Sequence, residues 1–203
     1  MTGAPAPDEV TISTGLPPAL RHEAAELFWE AFGTKFERAL GPRARGIALI
    51  ERNLREDRAI VAITRGELVG LASFERAGST FVDLSLRKMV REFGPIRGAW
   101  RAALLALLDQ SSVPGELLMD GIAVRGDMRS RGIGTRLIHA MFDCARESGL
   151  DRVRLEVVDE NPRAQDLYER EGFLVVRHER TPYLRRLIGV GGYSEMVARV
   201  PGR

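Results

Sequence analysis

Apolar residues recur every three to four positions from Leu20 to Leu40, at Leu20, Ala24, Leu27, Phe28, Ala31, Phe32 and Phe36. That is the period of a helix with one buried face. A second helix is predicted over Gly46 to Arg55, where Ile47, Ile50 and Leu54 share a stripe. The period then shortens. Ala59 to Ile63 and Leu68 to Phe74 are apolar runs on either side of Arg65-Gly66-Glu67, the signature of a hairpin. Phe81 to Leu108 returns to helical spacing, in two pieces broken near Gly94-Pro95. Leu117 to Val124 reads as a strand, and a polar loop over Arg125 to Arg131 leads into a helix over Thr135 to Ser148, closed by Gly149. Val153 to Val158 is a further strand. Asn161-Pro162 opens the next helix, with Asn as cap and Pro at the first helical position. That helix runs to Gly172, and Phe173 to Arg177 and Tyr193 to Arg199 are predicted as closing strands.

The order of elements argues for one α/β domain around a mixed sheet. Met1 to Asp8 is rich in Pro, Ala and Gly, and residues 1–15 are expected to form a flexible tail ahead of a domain over 16–203. The chain of 203 residues is 44% apolar and 29% charged, ordinary for a globular protein with a full core. No apolar run approaches the length of a transmembrane helix. No basic start followed by an apolar block marks a signal peptide, so a cytoplasmic protein is expected. The formal net charge of +2 gives no reason to expect nucleic acid as a partner. Of the 30 basic residues only Lys35 and Lys88 are lysines, so an arginine must be argued from its position. Cys144 is the single cysteine; it cannot form an internal disulfide and reads as core. His22, His139 and His178 are scattered, and no His/Cys cluster suggests a metal.

The most informative stretch is Arg129-Ser130-Arg131-Gly132-Ile133-Gly134-Thr135, between a strand and a helix. Glycines admit close approach of the backbone to a ligand. The first N–H groups of a helix lack internal partners, and the positive end of its dipole favours an anion. With Arg125, Arg129, Arg131 and Arg136 against Asp127, the loop is locally basic. A phosphate-bearing ligand and a plain strand-to-helix turn are both compatible with the loop taken alone. A dinucleotide fingerprint would need glycine where Leu137 stands, and a nucleoside-triphosphate loop would need a lysine that is absent.

Further along come Leu155-Glu156-Val157, then Asn161, Ala164, Leu167-Tyr168 and Gly172-Phe173. With Gly121-Ile122-Ala123-Val124 and Arg129-x-x-Gly132-x-Gly134 ahead of them, the stretch from Leu117 to Phe173 resembles the GNAT superfamily of acyl-CoA-dependent N-acetyltransferases. The resemblance implies a mixed sheet of six or seven strands flanked by helices. It implies acetyl-CoA as acyl donor and a small-molecule or peptide amine as acceptor; from the charge and the apolar runs, neither nucleic acid nor membrane is expected as partner. The backbone of Ile122, Ala123 and Val124 would meet the pantetheine and the thioester. The amides of Arg129, Ser130, Arg131, Gly132, Ile133, Gly134 and Thr135 would hold the pyrophosphate. Asn161, with Ala164 beside it, would contact the pantetheine arm, and Tyr168 would protonate the leaving thiolate.

Chemistry narrows the remaining roles. Acyl transfer to an amine needs a base to take its proton and an acid for the leaving sulfur. A phenol titrates near a thiol, so Tyr168 suits the second task. Glu156 resembles the glutamate that serves as base in some members of the family that acetylate protein N-termini, although strand alternation also explains an outward glutamate; Asp120, on the strand before the loop, is the second candidate. One departure from the family is a helical insertion over residues 76–115, between the third and fourth strands. It is open whether it caps the acceptor site, contacts a second copy or extends the core. The loop between Arg177 and Tyr193 is a candidate border of the acceptor site, with Arg185 and Arg186 either binding an acidic acceptor or standing as a solvated charge pair. A non-catalytic acyl-CoA sensor or an interaction protein on the same fold is the alternative function.

Overall fold

The two apolar runs around Arg65-Gly66 fold back on each other as strands β2 (Ala59–Thr64) and β3 (Glu67–Glu75). Arg65 at φ 50° and Gly66 at φ 81° form the turn. Two left-handed residues between paired strands match the natural right-handed twist of a hairpin. This computed structural model describes residues 9–76, 78–106, 113–181 and 191–202, without the side chains of Thr34 and Lys35. Seven strands form one sheet. They are β1 (Thr11–Thr14), β2, β3, β4 (Glu116–Val124), β5 (Arg152–Val158), β6 (Leu174–Arg180) and β7 (Gly192–Arg199), in the order β1-β2-β3-β4-β5-β7-β6. Only β4 and β5 run parallel; the other neighbours are antiparallel. The expected mixed α/β sheet is therefore the architecture found.

Each face of the sheet carries its own core. On one, α5 (Ile133–Glu147) and α6 (Pro162–Arg170) bury Leu137, Ile138, Met141, Phe142 and Tyr168 against Ile60, Phe74, Met119, Leu155 and Met196. On the other, α1 (Arg21–Leu40), α2 (Arg43–Asn53), α3 (Leu86–Phe93) and α4 (Pro95–Ala106) cover β2, β3 and part of β4. Among the described residues, no member of this second core comes from β5, β6 or β7. There the strands present charge instead. Arg154 bonds Glu116 at 2.5 Å and also pairs with Glu195, all three largely buried. A sheet face that no described helix covers is satisfied here by paired ions.

Three expectations need correction. Residues 1–15 are not a tail throughout, because β1 pairs with β2 over Thr11 to Thr14. Its residues are mostly exposed, so no apolar alternation announces it; residues 1–8 lie outside the described residues. Phe81 to Ser85 is not helical. Val82 bridges Leu54, Arg55 N–H donates to Phe81 C=O at 2.8 Å, and Asp83 N–H donates to Asn53 C=O at 3.1 Å. Backbone pairing to the end of α2 thus overrides the apolar spacing. The second helix starts at Arg43, earlier than predicted, behind Pro42. As for the insertion, its described part extends the core: Met89 and Leu104 are buried in the second cluster, and Arg101 bonds the Ala39 carbonyl at 2.6 Å.

Candidate active site

The site begins where two strands part. β4 pairs with β5 from Glu116↔Arg152 to Met119↔Leu155, and no further. β4 continues to Val124 along β3 alone, and β5 continues to Val158 along β7 alone. At the parting a register shift between β3 and β4 carries the pairing from Phe74↔Met119 to Ser73↔Gly121 and leaves Asp120 as the extra residue. Such a bulge bends the strand and re-aims the residues beyond it. Past the bulge, the groups of β4 that point toward β5 have no strand to meet. They form an edge inside the sheet without a partner strand among the described residues, its Val124 carbonyl accepting from Arg129, and the rest is able to bond an extended ligand that carries amides.

Two predicted residues border the parting: Asp120 follows Met119 on β4 and Glu156 follows Leu155 on β5, each one step beyond the last paired residues. Glu156 alternates with Leu155 and Val157, which belong to the α5 side, so it faces the opposite side, in register with Glu195 of β7. Both carboxylates are half-buried. Tyr168 stands on the α5 and α6 side, 5% exposed and packed 5.7 Å from the Phe173 ring. Its hydroxyl has no hydrogen-bond partner among the described residues, and burial pushes the phenol well above its ordinary range. Tyr168 thus lies on the α5 and α6 side of the sheet, and Glu156 on the other.

The glycine loop crosses the end of β4. Ser130 at φ 61° and Gly132 at φ 74° are left-handed, a conformation that is rare for serine and marks strain worth explaining. Among the described residues, no N–H from Ser130 to Thr135 bonds a backbone carbonyl; the first to do so is Arg136, to Gly132 at 3.1 Å. A row of free amides at the start of a fifteen-residue helix is a ready seat for an anion. The two glycines serve different ends. Gly132 supplies the left-handed turn, with open space where a side chain would stand. Gly134 allows α6 to approach, since a methyl there would sit 3.0 Å from Leu167.

The loop is less basic than its sequence suggests. Arg125 is held by Asp127 and by Glu67, each at 2.8 Å. Arg129 bonds the Val124 carbonyl at 3.0 Å and faces Glu30 at 3.7 Å. Arg136 bonds the Val10 carbonyl. Arg131 and Arg136 are left as exposed arginines with no carboxylate within ion-pair distance among the described residues. Glu30 and Glu67 come from far along the chain, and no local pattern signals them.

Asn161 accepts from Ala164 N–H at 3.3 Å and caps α6, so its carbonyl oxygen is engaged while its amide N–H₂ remains available as donor. Ile122 and Val124 pack toward α5, and Ala123 toward α1. Thr135 donates to Glu171 at 2.7 Å, and Glu171 also bonds His139 at 2.8 Å. This link from the first turn of α5 to the end of α6 was not visible in sequence, because Glu171 lies far from both partners. Cys144 is buried on α5, its thiol pushed up by burial, as expected of core. Arg185 and Arg186 lie outside the described residues. No three His, Cys, Asp or Glu side chains among the described residues stand where they could hold a metal ion. No described helix is long and apolar enough to cross a membrane.

A glycine loop at a helix start thus stands beside a parted pair of parallel strands. Residues 21–173 match the model of the acetyltransferase (GNAT) family, and the chain belongs to it. It is 37% identical over 101 residues to the mycothiol acetyltransferase of Beutenbergia cavernae, a match covering 50% of this chain and 32% of that protein. The matched stretches span about a third of the length of the curated relatives. Among solved structures, an acetyltransferase aligns over 94% of this chain and 99% of its own at TM-score 0.63 and 19% identity. An agmatine N-acetyltransferase aligns over 95% of this chain and 100% of its own at TM-score 0.63 and 14% identity. These structural likenesses concern the fold. Acetyltransferases of this family use acetyl-CoA.

Proposed function

We propose that the protein transfers an acetyl group from acetyl-CoA to a primary amine by direct attack. The observation that carries this reading is the parting of β4 and β5 beside a row of unpaired loop amides. In it, the amides of Ser130 to Thr135 take the pyrophosphate, whereas that of Arg129 is bonded to the Gly126 carbonyl at 3.4 Å. The open edge of Ile122 to Val124 takes the pantetheine amides and orients the thioester, with Asn161 donating to the same arm.

The amine nitrogen, once neutral, attacks the thioester carbon from the Glu156 side. Glu156 removes the proton, directly or through water; Asp120, which borders the same parting, is the second base. The C–S bond breaks as the tetrahedral intermediate collapses, and the Tyr168 phenol gives its proton to the sulfur. A buried phenol stays protonated through neutral pH, so the proton is present when the thiolate forms. That transfer remains matched because the thiolate forms in the same dry surroundings, where it too is a stronger base.

Calorimetric titration with acetyl-CoA, beside ATP and NAD, tests the seat. Selective binding of acetyl-CoA is expected, and equal affinity for all three would refute the assignment. Release of free CoA with a panel of primary amines then separates an enzyme from a protein that only senses the thioester.

A further inference from the structure

The chain also indicates which amines it takes; this inference rests on the acetyl-transfer reading above. Just beyond the parting, β4 turns Gly121 and Ala123 toward α1, and Ile122 and Val124 toward α5. Gly121 offers no side chain to the α1 side. The tip of the Phe32 ring fills that place so closely that a methyl at 121 would overlap it. Across the strand pair from Gly121 stands Ser73, 1% exposed, with a hydroxyl that has no partner among the described residues. A buried hydroxyl without a partner is the kind of group that a bound molecule or an ordered water satisfies.

Phe32 does not stand alone. Phe28, Phe32 and Phe36 follow one another at helical spacing along α1, and Phe28 meets Phe32 at 4.9 Å, Phe36 at 5.8 Å and Phe81 at 5.8 Å. Phe28 and Phe81 are buried, whereas Phe32 and Phe36 are only half-buried. The aromatic row therefore runs from the core outward and ends partly wet. Two residues before Phe32, Glu30 faces Arg129 of the glycine loop at 3.7 Å. The outer half of α1 thus stands over the parting, opposite the donor seat.

We propose that the acceptor is a primary amine carrying an apolar, ring-sized group, and that Phe32 is the side chain that selects it. An amine with such a group covers the exposed part of the ring and places its nitrogen at the parting. A hydrophilic amine leaves the ring wet and gains nothing from it. Size and apolarity are thereby read by contact area.

The test measures CoA release at saturating acetyl-CoA with 2-phenylethylamine, isopentylamine, ethanolamine and 1,4-diaminobutane. In the wild-type protein the first two should exceed the last two in kcat/KM by about tenfold or more. Phe32→Ala should level the series to within about threefold, chiefly through KM. Phe32→Leu, which keeps the helix packed, should retain the preference for isopentylamine and lose that for the ring. Acetyl-CoA affinity, by calorimetry, should be unchanged in both variants. Polar amines serving the wild-type protein equally well would overturn the proposal. So would a uniform fall across all four amines in both variants, or acetyl-CoA binding with no turnover of the apolar amines. If acetyl-CoA itself does not bind, the acetyl-transfer reading falls and takes this inference with it; if it binds and polar amines are preferred, only this inference falls.

Discussion

The two faces of the sheet are built by different means. On the α5 and α6 face the proposed donor seat consists of backbone: free loop amides, an unpaired stretch of β4 and a capped helix start. On the α1 face the proposed acceptor side consists of side chains gathered from distant elements: Phe32 from α1, Ser73 from β3, Asp120 from β4 and Glu156 from β5. A backbone seat demands special conformations, and those demand glycine, proline and asparagine at fixed spacing. A side-chain pocket demands only that certain residues meet. The first leaves a motif in the sequence; the second leaves scattered, ordinary-looking positions.

The largest expected effect lies where the faces meet. Tyr168→Phe removes a proton donor and little volume. Turnover should fall by about 10²- to 10⁴-fold, the usual worth of a positioned acid, while acetyl-CoA affinity stays within about twofold. Steady-state kinetics beside calorimetry will check this. Undiminished turnover would leave Tyr168 as packing for Phe173 and no more.

Stability should separate the faces next. Arg154→Leu strips the cation from between Glu116 and Glu195 on the face that no described helix covers. Removing one member of a largely buried ion cluster should cost about 3 kcal/mol in chemical unfolding. A loss below about 1 kcal/mol would show these ions to be well solvated. Gly46→Ala should cost about 2 kcal/mol, because its methyl would overlap the Trp29 ring between α1 and α2, and this exceeds the roughly 1 kcal/mol gained in helix propensity. Gly134→Ala on the opposite face meets only the flexible end of Leu167 at 3.0 Å. There the two terms should nearly cancel, to within about 0.5 kcal/mol.

The same division explains what was legible. The run from β4 to β6 could be read almost element by element, because Gly132, Gly149, Asn161-Pro162 and Gly172 punctuate it. β1 could not, since Thr11 to Thr14 shows no buried alternation and pairs only because β2 offers an edge. Nor could the neutralisation of Arg125 and Arg129, which depends on Glu67 and Glu30 arriving from β3 and α1. The spacing of Phe28, Phe32 and Phe36 was plain as a helix stripe. That its outer members stand over Gly121 was a fact of tertiary packing.

A further effect concerns how the α1 face holds its insertion, and it is the one that depends on pH. Asp83 accepts from Ser85 N–H at 3.2 Å, at the start of α3. It also binds Lys88 at 2.8 Å and Arg55 at 3.4 Å. The Lys88 contact, before the backbone bond and Arg55, holds its carboxyl down at about 2. A carboxyl lowered by folding stabilises the fold above its unfolded value near 4, and that contribution is lost as pH falls through the folded value. Asp83→Asn should therefore cost about 1–2 kcal/mol at pH 7, and the gap to wild type should close as pH falls from about 4 to about 2. Thermal unfolding of both proteins across that range measures it. A gap that persists unchanged at pH 2 would mean that Asp83 acts through its shape and its bond to Ser85, and that charge contributes little to docking α3.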